Sequence, residues 1–262
     1  MGELIQWDRA KYWTKAWNPW LGCRACSPAC AHCYAESFAG RFGVSFTPHP
    51  TKQKSPPRRG IVFCGNMTDL FGGWLEVKQS AAFIEKLFHK NRYSGLLEPN
   101  DAVYLFLTKR VARMEQALRE YAYVDIPHAL FGFTAEDQTH YDERLYWMEE
   151  VANRRRWWIS CEPLLGSIDL RFREFRDKGI RLPEWVVVGC ESGAQRRPCP
   201  LEWVEAVVEQ CREFGVRVFV KQLDIGGECE RDISKFPPRL QIRQTPWADK
   251  FITIPSEKGG AL

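Results

Sequence analysis

The chain has 262 residues and a formal net charge of +4, with 45% apolar and 27% charged residues. That length allows one large domain or two small ones, and the balance is ordinary for a globular protein. No apolar run reaches the ~18 residues of a membrane-spanning helix, and Met1–Trp13 lacks an apolar signal core, so a cytoplasmic protein without membrane contact is expected.

Six short apolar runs recur along the chain: Ile61–Cys64, Val103–Leu107, Ala129–Thr134, Trp157–Cys161, Trp185–Gly189 and Val216–Val220. They are continuous rather than alternating, as in strands buried on both faces. A weaker first strand is expected within Gln6–Trp17. Between the runs lie stretches of helical periodicity, at Val77–His89, Val111–Tyr121, Tyr141–Val151 and Leu201–Phe214. The last follows Pro200 and stops at Gly215, a matched start and stop. One strand and one helix every 25–30 residues is a βα repeat. The expected fold is therefore α/β in a single domain over 1–262. Six or seven units fall short of a full eight-fold barrel, so a partial (β/α)6 barrel is favoured over an open doubly wound sheet. Pro48–Gly60 reads as a long exposed basic loop, residues 223–262 as a C-terminal extension, and Ser256–Leu262 as a frayed tail.

Four of the ten cysteines fall within Cys23–Cys33. In a cytosolic chain of this length, clustered cysteines point to metal rather than to disulfides. Two triplets offer ligands for three irons of a cubane cluster: Cys26, Cys30 and Cys33, or Cys23, Cys30 and Cys33. Three soft thiolates would leave the fourth iron open. The competing reading is structural zinc on all four thiolates, although only three residues separate the two pairs.

The segments WNPWLGCRACSPACAHCYAE, CGNMTDLF, FLTKRVARM, FGFTAED, ISCEPLLGSIDL, WVVVGCESG and FVKQL, spanning residues 13–223, resemble a phage-associated family of the radical S-adenosylmethionine (SAM) superfamily. The resemblance implies a TIM-like partial barrel with the cluster in the loop after the first strand and SAM across the C-terminal strand ends. It places the 4Fe–4S ligands on Cys23, Cys30 and Cys33; Cys26 departs from the family pattern. The aromatic residue common before the last cysteine is here His32, which leaves Tyr34 to cover the adenine.

In βα barrels chemistry collects at the C-terminal strand ends. There Asn66, Thr68 and Asp69 suit the SAM amine, and Thr134, Glu136 and Glu162 suit the ribose and its surroundings. Lys109 or Arg110 would pair with the SAM carboxylate or a substrate anion, and Glu191 completes the polar set. Cys64, Cys161 and Cys190 also end strands, and a thiol there could return a hydrogen atom to a product radical. Cys161 is the catalytic choice among them. His32, His128 and His140 show no ligand spacing.

The expected activity is reductive cleavage of SAM to a 5′-deoxyadenosyl radical that abstracts hydrogen from the substrate. Phage association points to a modified, amino-acid-substituted thymine in DNA whose substituent is isomerised. Aromatics at 13%, 11 of them Trp, and the basic segments Lys52–Arg59, Arg154–Trp158 and Gln195–Arg197 fit a nucleic-acid surface. Flavodoxin or ferredoxin would donate the electron. A small-molecule, peptide or tRNA substrate, and a non-catalytic zinc-bearing nucleic-acid-binding protein, are the alternatives.

Overall fold

The computed structural model describes residues 12–53, 55–87, 101–120, 126–193 and 195–247. The strands are β1 Lys15–Trp17, β2 Trp20–Leu21, β3 His49–Pro50, β4 Arg59–Cys64, β5 Asp101–Thr108, β6 Ala129–Thr134, β7 Arg156–Cys161, β8 Trp185–Gly189, β9 Arg217–Ile225 and β10 Glu228–Glu230. The helices are α1 Tyr34–Arg41, α2 Val77–Glu85, α3 Val111–Arg119, α4 Gln138–Ala152, α5 Phe172–Asp177 and α6 Leu201–Phe214. The expected frayed tail, the start of the first strand and the ends of the two periodic stretches at His89 and Tyr121 lie outside the described residues.

One eight-stranded sheet runs β1-β4-β5-β6-β7-β8-β9-β10. Every neighbouring pair from β1 to β9 is parallel, and β10 closes the edge antiparallel to β9. The order never reverses, so there is no switch point of the doubly wound kind. Successive crossovers of one hand leave the helices on one face. The sheet is therefore a curled half-barrel in a single α/β domain, and the open-sheet alternative falls away.

Strand alternation sorts the core into two layers. Val62, Tyr104, Phe131, Trp157, Ile159, Val186 and Val218 face outward onto α2–α6, through residues such as Ile84, Met114, Tyr141, Phe175 and Val207. Ile61, Phe63, Leu105, Leu130, Trp158, Trp185, Val187 and Phe219 face inward, joined by Tyr12, Trp13 and Trp247. The indoles of Trp185 and Trp247 meet edge to face at 5.0 Å, and Trp185 Nε1 donates to the Gln244 carbonyl at 2.8 Å. This aromatic plug fills the N-terminal end of the half-barrel and leaves the C-terminal end open. Through Phe236, Leu240 and Trp247, the described part of the C-terminal extension beyond β10 thus joins the core.

Two sequence expectations change here. Pro48–Gly60 is not simply a loop: β3 pairs antiparallel with β2, and Arg59 and Gly60 already belong to β4. The segment Arg154–Trp158, expected to contact phosphates, exposes only Arg154 fully. Its Trp157 and Trp158 are strand residues with no exposure, Arg155 is buried, and Arg156 pairs with Glu184 at 2.6 Å. It also opens β7 at the plugged end, away from the barrel mouth.

Gly132 is the space the plug requires. A Cβ there would stand 2.5 Å from the Trp158 indole nitrogen, which donates to the Phe106 carbonyl at 3.0 Å. Gly132→Ala should therefore cost about 1–3 kcal/mol through overpacking, read as a lower denaturation midpoint. Gly40→Ala, on α1 with open space around its Cβ position, should leave the midpoint unchanged or raise it.

Candidate functional site

At the open end a cavity of roughly 1060 Å³, its mouth included, lies between the strand ends and the cysteine loop. Cys23, Cys26, Cys30 and Cys33 all line it, so the loop forms one wall.

The loop is held in place from both sides. On the β4 side, Gly22 N–H donates to the Met67 carbonyl at 3.1 Å and Thr68 Oγ1 donates to the Gly22 carbonyl at 2.6 Å. Asn18 Nδ2 donates to Asn66 Oδ1 at 2.7 Å, and Tyr34 Oη donates to the Asn66 carbonyl. Gly22 has φ +81°, and a Cβ would come 2.5 Å from the Phe46 carbonyl oxygen and the Thr47 backbone. A glycine is thus required where the chain turns into Cys23. On the β8 side, His32 Nδ1 pairs with Glu191 Oε2 at 2.9 Å, and Arg197 closes on the same carboxylate. Burial would raise the Glu191 carboxyl, but Arg197 and His32 prevail and hold it below its ordinary value.

Asp69 knits this region together. Its buried carboxylate accepts from Thr108 Oγ1 at 2.8 and 2.9 Å, from Phe71 N–H at 2.9 Å and from Arg110 Nη1 at 2.8 Å. Arg110 Nη2 then donates to the Arg24 carbonyl inside the cysteine loop at 2.6 Å, while its guanidinium lies 5.0 Å from the Trp74 ring centroid.

The thiols are not equivalent. A hydrogen bond from Cys26 draws Cys30 down to about 4 against the effect of burial, and Lys109 adds to the lowering. Cys26, as donor, is pushed up. Burial and Asp69 push Cys23 up to about 11, opposed by Arg110. Among the described residues, no three His, Cys, Asp or Glu side chains stand in a ready-made metal-holding group.

Of the other expected site residues, Tyr34, Asn66, Thr68, Asp69, Lys109, Arg110, Thr134, Glu162 and Glu191 line the cavity. Several are already engaged. Asn66 Oδ1, the Thr68 hydroxyl and Asp69 brace the cysteine loop and the β5 end, and Arg110 is committed to Asp69. Lys109 makes no ion pair among the described residues and remains the cavity's available cation.

Two expected residues do not reach the cavity. Glu136 is fully buried and closed in a bidentate pair by Arg144, whose Nη2 lies 3.1 Å from Oε1. Burial opposes its ionisation, yet Arg144 holds the carboxyl below its ordinary value. Its acceptors are therefore unavailable to ribose hydroxyls. Cys161 is fully buried in the outward core layer, because alternation along β7 turns Ser160 and Glu162 inward instead. Cys64 faces outward with it. Cys190, beyond a register shift at Val188/Gly189, is the strand-end thiol that lines the cavity.

Ser160, His32 and the role of Gln222 escaped the sequence reading. A signal for Ser160 exists, since it alternates with Trp158. Gln222 Nε2 donates to the Cys190 carbonyl at 2.6 Å, but its buried Oε1 has no hydrogen-bond partner among the described residues. Beside it Lys221 pairs with Glu162 at 2.9 Å, and burial pulls the Lys221 ammonium below its usual range while Glu162 opposes the shift.

Removing the Asp69 carboxylate leaves a buried guanidinium without its partner. Asp69→Ala should cost about 3–5 kcal/mol. It should also speed alkylation of Cys23 and Cys26, followed peptide by peptide. An unchanged midpoint with unchanged alkylation would show that the network does not hold the loop.

No curated protein and no solved structure matches the chain. Residues 8–243 match the family described as protein of unknown function DUF5131, and the chain belongs to that family.

Proposed function

We propose that this chain is a radical SAM enzyme. The observation that carries the proposal is the cavity wall: four thiols from one loop face a polar set at the C-terminal ends of parallel strands. Cys23, Cys30 and Cys33 would hold a 4Fe–4S cluster, and soft thiolates suit that group. Such a cluster, together with SAM, would supply a carbon-centred radical able to abstract hydrogen from a substrate.

The remaining residues bind and position. Lys109, without an ion pair among the described residues and close enough to Cys30 to lower its thiol, would receive the SAM carboxylate. Gln222 Oε1, buried without a partner, offers an acceptor to an amine or a ribose hydroxyl. The Tyr34 ring lines the cavity beside the last cysteine and is fixed through its hydroxyl on Asn66, as a face for the adenine requires. The Lys221–Glu162 ion pair keeps the floor polar. The His32–Glu191–Arg197 group anchors the loop rather than exchanging protons with substrate.

The substrate we favour is a nucleotide in DNA carrying an amino-acid-derived thymine substituent, which the enzyme would isomerise. Exposed Arg24 and Lys52 stand on or beside the cysteine loop and suit phosphate contact. A duplex base would have to be extruded to enter the cavity. Flavodoxin or ferredoxin is the class of electron donor that fits.

Purified without oxygen, the protein should be brown and carry about four irons per chain. With SAM and a reductant it should release 5′-deoxyadenosine. Cys30→Ala and Cys33→Ala should abolish both properties. Lys109→Ala should keep the iron but weaken SAM binding roughly 10–100-fold, the worth of a charged hydrogen bond. A colourless protein with one tightly held zinc would overturn the proposal. For the substrate, nucleoside mass spectrometry of DNA made with and without active protein should show one modified nucleoside shifting to an isomer; an identical profile would remove DNA as the substrate.

A further inference from the structure

A second pair of thiols lies away from the cysteine loop, and one of them, Cys190, lines the cavity. Cys190 Sγ lies 3.8 Å from Cys229 Sγ, and the thiol of Cys190 donates to Cys229. The two residues flank β9 from opposite sides. Cys190 N–H donates to the Gln222 carbonyl at 3.2 Å, and Cys229 on β10 registers with Asp224. Cys190 is 1% exposed and lines the cavity, whereas Cys229 is only half-buried, on the edge strand of the sheet.

We propose that Cys190 and Cys229 form a reversible redox-active disulfide site that exchanges with small-molecule disulfides of the glutathione type. The proposal does not depend on the cysteine-loop chemistry. Three features support it beyond the sulfur contact. Cys229 is the accessible member, as an attacking thiol must be. Its environment favours the thiolate: the hydrogen bond from Cys190 and the charges of Arg231, Lys221 and Arg196 lower the thiol below its ordinary value against burial. Cys190, pushed up chiefly by donating that bond, keeps its proton and is placed to resolve.

The exchange balances. The Cys229 thiolate attacks one sulfur of glutathione disulfide, forming a mixed disulfide and releasing a glutathione thiolate, which takes up a proton. Cys190 then loses its proton and displaces the second glutathione, closing the Cys190–Cys229 bond. Two protein thiols are oxidised and one glutathione disulfide is reduced. Closure draws Cys190 toward β10 and removes the cavity's thiol outside the cysteine loop.

The test equilibrates the full-length protein in glutathione buffers, traps free thiols by alkylation and reads peptides by mass spectrometry. The ratio of cross-linked Cys190–Cys229 peptide to its reduced form should rise roughly tenfold for each tenfold rise in glutathione disulfide over glutathione squared. Cys190→Ser should trap glutathione on Cys229, and Cys229→Ser should leave Cys190 reduced. Cys199→Ser, removing a third thiol whose N–H binds Asp224 at 3.1 Å, should leave the cross-link unchanged. Two free thiols in the most oxidising buffer, or a cross-link from Cys190 to Cys199, would overturn the proposal. The wild-type measurement decides it even where a serine variant fails to fold. A protein that binds no iron but forms this cross-link defeats the proposed function and leaves this inference standing.

Discussion

A single buried carboxylate determines how the open end of this half-barrel is built. Asp69 sits just past β4, where a lone charge would be costly, and three donors make it tolerable. Each donor comes from a place that must be held: Thr108 and Arg110 from the end of β5, Phe71 from the turn after β4. Through Arg110 the same charge reaches the Arg24 carbonyl in the cysteine loop. The loop lacks a regular ladder of its own beyond the two-residue β2–β3 pair. Its position is therefore inherited from a network rather than from secondary structure.

The opposite end has a different physical basis. There the inward layer closes with indoles and phenyl rings, and the tail returns to add Trp247. A half-barrel of seven parallel strands cannot close on itself, so its interior must be filled by side chains or by returning chain. Filling one end and leaving the other open creates an apolar floor beneath a polar mouth. On that floor Ser160, Glu162 and Lys221 stand on inward-facing positions of β7 and β9 or just beyond them. Lys221 and Glu162 pair at 2.9 Å, which offsets part of the cost of burying them, while Gln222 Oε1 beside them has no hydrogen-bond partner among the described residues.

How much of this was readable from sequence depends on the range of the interaction concerned. Ala129–Thr134, Trp185–Gly189 and Leu201–Phe214 emerge with their observed bounds, because burial on both faces and a Pro–Gly bracket are local signals. The strand-end polar residues were also readable as a set. What each one does was not. Glu136 looked like a ribose ligand until Arg144, eight residues on, closed over it. Asn66 and Thr68 looked like ligands for an amine, but their acceptors and donors meet Asn18 and Gly22, more than forty residues away. Arg154–Trp158 looked like a basic aromatic surface because composition carries no information about which strand end a residue occupies. Cys161 against Cys190 turned on parity along a strand and on one register shift, neither visible in residue types alone.

The same reasoning bears on which three cysteines are suited to a shared cofactor. A ligand set is strongest where its backbone is fixed before binding, since ordering the loop on binding would cost free energy. Cys23 is fixed: Gly22 N–H is bound to Met67, Cys23 N–H to Phe46 at 3.2 Å, and the left-handed turn at Gly22 admits no side chain. Cys30 ends a short 3-10 turn, its N–H bonded to Ser27 at 2.9 Å, and Cys33 caps the start of α1. Cys26 lies between these anchors on the exposed crest and directs its thiol at Cys30. A fixed backbone at Cys23, Cys30 and Cys33 suits the ligand role proposed for them, and Cys26 would act on that set through its hydrogen bond to Cys30.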